Sequence, residues 1–111
     1  QLLQNNPTLA YYRKFTFLIK RSKNNEKRVT DYASLLKIST VHLNRICREI
    51  VGKSALQIIQ ENMIQEAKNY LLNTSYSSAE IAYFLNFNDP AYFNRLFKKL
   101  VGVSPGVFRK S

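Results

Sequence analysis

Two stretches of this chain repeat one pattern, and a repeat of this kind leaves few architectures open. Aligned at an offset of 49, Ala33 pairs with Ala82, Leu36 with Leu85 and Ile38 with Phe87. Past one inserted residue the offset is 50, and Asn44-Arg45 pairs with Asn94-Arg95, Val51-Gly52 with Val101-Gly102 and Ser54 with Ser104. Each copy reads as a short helix, a turn and a second helix. A solenoid stacks three or more units, so two copies predict a pair of equivalent modules instead.

The second copy is the clearer. Ser77 stands three residues before Glu80, the spacing of a capping box, so a helix starts there and carries Ile81, Ala82 and Leu85 inward. It stops near Asn86, a residue type that tolerates the left-handed conformation a turn requires. Phe87 fills the corner, and Asn88-Asp89-Pro90 supplies an N-cap and a proline suited to a first helical turn. Beyond it Phe93, Leu96, Phe97 and Leu100 recur at three and four, an apolar stripe opposite Asn94, Arg95, Lys98 and Lys99. Gly102 ends this helix, and Ser104-Pro105 opens one more short turn holding Val107 and Phe108.

The first copy begins at Thr30, with Tyr32, Ala33 and Leu36 leading to Ile38. Ser39 then caps a helix over Thr40 to Val51, with Leu43, Ile46, Cys47 and Ile50 inward and Val41, Asn44, Arg45, Arg48 and Glu49 outward. Upstream, residues 1–7 read as a flexible remnant or linker, and Thr8 as the cap of a helix from Leu9 to about Lys20. In that helix Tyr11, Tyr12, Phe15, Leu18 and Ile19 share an arc of about 120°, while Phe17 falls outside it. Arg21 to Arg28 has no apolar residue and reads as a surface loop. Between the copies, Ala55 to Leu72 is free of Pro and Gly; Leu56, Ile59, Met63, Ile64, Ala67, Tyr70 and Leu71 fall within about 140° of arc. The expected architecture is therefore all-α, about seven helices. A first helix-turn-helix subdomain (8–53) and a second (73–111) are joined by a linker helix (54–72).

A chain of 111 residues, 45% of them hydrophobic, can bury roughly two-thirds of its unfolded surface, enough for a core without disulfides or metal. Its net charge of +10 favours a polyanion: nucleic acid first, an anionic membrane or an acidic protein after it. Cys47 is the one cysteine and lies on an apolar stripe, so it reads as a small core side chain. No apolar run nears the ~18 residues of a membrane span and nothing resembles a signal peptide, which places the chain in the cytoplasm. No paired carboxylates, nucleophile with base or glycine-rich phosphate loop appears. His42, the single histidine, has no metal-ligand partners at useful spacing and reads as a surface or phosphate-side residue. An enzyme, a metal site and a cofactor are not expected.

The run EIAYFLNFNDPAYFNRLFKKLVGVSPGVFRK, with IA, an aromatic after the turn, YF-x-R-x-FKK, G-x-SP and a closing FR in register, resembles the signature of the AraC/XylS family of bacterial transcription regulators, in its C-terminal DNA-binding domain. The resemblance covers about Thr8 to Ser111. The chain departs from the family pattern at Asn86, where glycine is usual, at Ala91, where serine is common, and at Met63, where arginine is common. It implies sequence-specific binding of double-stranded DNA for transcription regulation, usually activation, with two recognition helices in adjacent major-groove segments and contact with RNA polymerase. Because the sequence starts at Gln1 without Met, an upstream sensing or dimerisation domain is expected in a longer parent.

Base edges are read by arginine on guanine, asparagine on adenine and small methyl-bearing side chains on thymine. By type and position the base-contact candidates are Thr40, Val41, Asn44, Arg45, Ala91, Asn94 and Arg95. The phosphate-contact candidates are Ser39, Arg48, Lys53, Ser78, Lys98 and Lys99. At the head of the recognition helix the first module offers Thr40 and Val41 and the second only Pro90 and Ala91, so the first is expected to read more sequence. The competing class is a helical protein-interaction module, which would show weak salt dependence and no preference among duplex sequences.

Overall fold

The computed structural model of the chain describes residues 6–22 and 27–111, and among these it shows seven α-helices and no strand. They are α1 (Pro7–Arg21), α2 (Val29–Leu36), α3 (Thr40–Val51), α4 (Ala55–Asn73), α5 (Ser78–Phe84), α6 (Pro90–Val101) and α7 (Pro105–Lys110). The all-helical expectation and its helix count hold. Of the expected flexible remnant, residues 1–5 lie outside the described residues, as do residues 23–26 of the expected surface loop.

Helix starts are set by local side-chain chemistry, as the repeat predicts. Ser39 Oγ accepts from the His42 N–H at 3.0 Å, Asp89 Oδ1 from Ala91 at 3.0 Å and Ser104 Oγ from Val107 at 3.2 Å. Ser77 and Glu80 form the full capping box, the Glu80 carboxylate accepting from the Ser77 N–H at 2.8 Å and the Ser77 hydroxyl from the Glu80 N–H at 3.0 Å. The Ser77 N–H donating to it holds the Glu80 carboxyl below its usual range. That cap is therefore intact at neutral pH and weakens as pH falls through the lowered pKa. α1 starts two residues before the expected Leu9, because Asn6 and not Thr8 is its cap: Asn6 Oδ1 accepts from Leu9 at 3.2 Å and Pro7 occupies the first turn. Residues 6 and 7 thus belong to the fold rather than to a linker.

The chain divides into two compact units, with the boundary inside α4: one holds α1 to α3 and α4 through Gln60, the other α4 from Glu61 through Ser111. In the first unit α1 packs on α2 and α3, and α2 on α3. Phe15, Ile19, Tyr32, Leu43, Ile46 and Cys47 are buried, Phe15 edge-on to Tyr32 with ring centres 5.4 Å apart. Burial pushes the Cys47 thiol up to about 11, so it stays protonated and packs as an apolar group.

In the second unit α5 and α7 each pack on α6. Phe87, Phe93, Phe97 and Phe108 follow one another at 5.2, 6.0 and 5.6 Å. Phe87, Phe93 and Phe97 are buried and Phe108 half-buried; full burial of such a ring contributes roughly 1.5–3 kcal/mol, so this aromatic file is a large part of the apolar support of α6.

Along α4 the expected stripe is largely inward: Ile59, Met63, Ile64, Ala67 and Leu71 are buried. Leu56 is the exception at 52% exposed, and on α6 Leu100 is another at 41%, beside an open groove with Glu61, Ile64, Gln65 and Lys68. Leu56 is the second residue of α4 and Leu100 the penultimate residue of α6, so each stripe runs on into a terminal turn where its last position stays exposed. Phe17, outside the arc of α1, is 58% exposed with the Arg21 guanidinium 5.4 Å from its ring centre.

Candidate nucleic-acid interface

Each helix pair is bent by one residue in the left-handed region, and the two occupy the same repeat position. They are Lys37 (φ +60°) after α2 and Asn86 (φ +67°) after α5, 49 residues apart. The hydrogen bonds match as well. Lys37 N–H donates to Ser34 O and Ile38 N–H to Ala33 O, both at 3.0 Å; Asn86 N–H donates to Tyr83 O at 3.0 Å and Phe87 N–H to Ala82 O at 2.9 Å. The next residue turned inward is Ile38 in one copy and Phe87 in the other, and the second helix begins two residues after Ile38 and three after Phe87, the difference being the one inserted residue. A lysine in this conformation is strained by about 1 kcal/mol, more than glycine's added chain entropy costs. Lys37→Gly is accordingly expected to raise stability by about 0.5 kcal/mol, read as a small rise in melting temperature. A lower melting temperature would show that the lysine side chain makes up for its strain.

That turn presents α3 with Ser39, Val41, Arg45, Arg48 and Glu49 exposed and Thr40 half-buried. Val41, Asn44, Arg45, Arg48 and Glu49 line a shallow open groove on its outer face. Gly52 (φ +72°) stops the helix, and its N–H donates to Arg48 O at 3.0 Å. Lys53 follows, exposed. Asn44 differs from its neighbours. Its side chain is half-buried, and its Oδ1 accepts from the Ala55 N–H at 2.9 Å, closing the start of α4 against α3. That oxygen is engaged inside the fold, which corrects the expectation that Asn44 sits open beside Arg45.

On α6 the corresponding face is Ala91, Asn94, Arg95, Lys98 and Lys99, all exposed. The Arg95 guanidinium lies 6.0 Å from the centre of the Tyr92 ring, which itself rests 5.9 Å from Phe87. Lys98 and Lys99 sit in the last turn, where positive charge also complements the helix dipole, and Gly102 (φ +100°) closes the helix. Ser78 is half-buried at the first position of α5, one residue past the capping Ser77.

Two supports of this surface escape the sequence reading. His42, half-buried, packs edge-on against Tyr11 of α1 with ring centres 5.7 Å apart, which steadies the head of α3. Arg109 of α7 donates from Nε to Leu71 O at 2.9 Å and from Nη2 to Thr74 O at 3.1 Å, capping the C-terminal end of α4. The closing Phe-Arg motif marks Arg109 without revealing its acceptors. Among the described residues no three His, Cys, Asp or Glu side chains group to hold a metal, and no helix is long and apolar enough to cross a membrane.

These observations define two helix-turn-helix units, each displaying the outer face of its second helix. Residues 32–111 match the model of a helix-turn-helix domain family. The chain is 36% identical over 81 residues to the HTH-type transcriptional regulator GlxA of Rhizobium meliloti, covering 73% of this chain and 25% of that protein. Its fold matches the crystal structure of a transcriptional regulator with an AraC-type DNA-binding domain from Chromobacterium violaceum, with a TM-score of 0.82, 19% identity and coverage of 94% of this chain and 90% of that one. It also matches the DNA-binding domain of the global transcriptional factor AdpA, solved in complex with a target DNA, with a TM-score of 0.76, 21% identity and coverage of 96% and 92%. The chain belongs to the AraC-type helix-turn-helix family of DNA-binding domains of transcription regulators. It spans between 18% and 34% of the length of curated relatives it matches, and 25% and 29% of two of the most similar.

Proposed function

We propose that this domain regulates transcription by placing α3 and α6 in two successive major-groove segments of one duplex. The observation that supports this most directly is the equivalence of the two outer faces. Arg45 and Arg95 occupy one repeat position, and both are exposed on helices that begin just after a left-handed residue, three residues after Lys37 and four after Asn86. In this reading Thr40, Val41, Arg45, Ala91, Asn94 and Arg95 meet base edges, and Arg48, Lys53, Lys98 and Lys99 hold phosphates. Ser39 and Ser78 add first-turn groups to the phosphate contacts. Such a domain would work in the cytoplasm, activating promoters together with RNA polymerase and under control of a sensing or dimerisation domain elsewhere in a longer parent protein.

Hydroxyl-radical footprinting of the isolated domain tests the central claim. Both reading helices belong to one chain, so a monomer is expected to protect two patches on one face of the duplex, one helical turn apart. One short patch, or protection only at concentrations that give a dimer, would contradict it. Binding to a protein with no preference among duplexes would favour the interaction-module reading.

A further inference from the structure

We infer that the repeated Asn-Arg pair does two different jobs: Asn44 locks α3 to α4, while Asn94, with Arg95 held over Tyr92, makes α6 the more discriminating of the two helices. This rests on the reading of α3 and α6 as groove-facing helices, and it reverses the expectation drawn from Thr40 and Val41 against Pro90 and Ala91.

The difference originates eleven residues beyond each asparagine. Ala55 is fully buried at the first position of α4, and its N–H belongs to the first turn, which has no partner within the helix. Ser54 and Gln57 satisfy each other's backbone N–H groups, at 2.8 and 3.1 Å, and leave the Ala55 N–H to Asn44 Oδ1. A buried amide without an acceptor is costly, so this contact is not readily given up to a ligand. The repeat places Pro105 where the first copy has Ala55, and Pro105 is likewise buried at the first position of its helix. Proline has no N–H to offer. Asn94 is therefore relieved of that duty, and its side chain is exposed on the outer face of α6.

A second difference lies two residues before each asparagine. His42 turns its ring to Tyr11 of α1, whereas the repeat-equivalent Tyr92, 43% exposed, turns its ring to Phe87 and Arg95. A guanidinium drawn towards an aromatic ring, here 6.0 Å from its centre, loses some rotational freedom while its in-plane N–H donors remain available for the O6 and N7 of guanine. Tyr92 is thus a positioning residue for Arg95. α6 presents an amide and an oriented guanidinium side by side, and α3 presents Arg45 with its neighbouring amide already engaged.

The test is selection of bound duplexes from a pool randomised across both half-sites, with melting temperatures recorded for every variant. Asn94→Ala should melt like the parent and lose base preference at one position of its half-site by about tenfold or more. Asn44→Asp retains an oxygen to accept from Ala55 and removes the amide donors that pairing with adenine needs; it should fold and keep the parental preference at every position. Tyr92→Leu should relax the preference at the base read by Arg95, and Tyr92→Phe should restore it. The inference is overturned if Asn44→Asp shifts preference in the first half-site by tenfold, or if Asn94→Ala leaves the selected sequence unchanged. If the parent domain itself enriches no sequence, the groove-reading assignment fails and the inference with it.

Discussion

Raising the salt concentration from 50 to 200 mM is expected to weaken binding of this domain to duplex DNA by about a thousandfold. Arg48, Lys53, Lys98 and Lys99 are exposed where the proposed reading puts phosphates, and in a chain of 17 Lys and Arg and net charge +10 about two further cations are expected to reach the duplex backbone. A cation brought to the duplex displaces condensed counterions, by roughly 0.9 per phosphate neutralised, so six such contacts give a slope of log affinity on log salt near −5. Lys98→Ala and Lys99→Ala should each flatten that slope by about one unit and weaken all sequences alike. Affinity measured by anisotropy across a salt series reads this directly. A slope near zero would mean that these side chains do not meet phosphates, and would return the domain to the protein-interaction class.

Arg109→Ala is expected to lower stability by about 2–4 kcal/mol, because two charge-assisted hydrogen bonds to backbone oxygens are lost together. Its acceptors, Leu71 O and Thr74 O, stand at the end of α4, where no further turn of helix can supply donors to replace it. Melting temperature should fall by about 10 °C or more. Arg109→Lys keeps the charge but cannot reproduce two donors in a fixed plane, so it should recover less than half of the loss. A drop below about 1 kcal/mol for the alanine variant would show that water satisfies those carbonyls equally well.

The helices carrying these side chains were legible because their signals are local. Ser39 and Gly52 bound α3, and Asp89, Pro90 and Gly102 bound α6, where spacing and turn chemistry predict. The left-handed turn was visible at Asn86 and invisible at Lys37, since lysine carries no preference for that conformation and only the alignment of the copies points to it. Asn44 shows the opposite failure. Two identical dipeptides at matching positions predict identical roles, and the residue that separates them is a distant partner, alanine in one copy and proline in the other. Periodicity also overstates packing at the ends of a stripe, as at Leu56 and Leu100, because it counts spacing and not whether a neighbour is there to be met. Arg109 lies 35 and 38 residues from its acceptors, beyond what any local pattern encodes.

The boundary between the two units falls at Gln60 and Glu61, within the continuous α4. Most domain boundaries run through exposed linkers, where a protease can nick the chain and recombination can exchange one part without harming the other. Here a cut would sever a hydrogen-bonded helix and strip each half of turns it buries. The two copies of the repeat are consequently tied to each other through one continuous helix. In the proposed reading a new DNA target is reached by changing side chains on α3 or α6 in place, because exchanging one unit alone would interrupt α4.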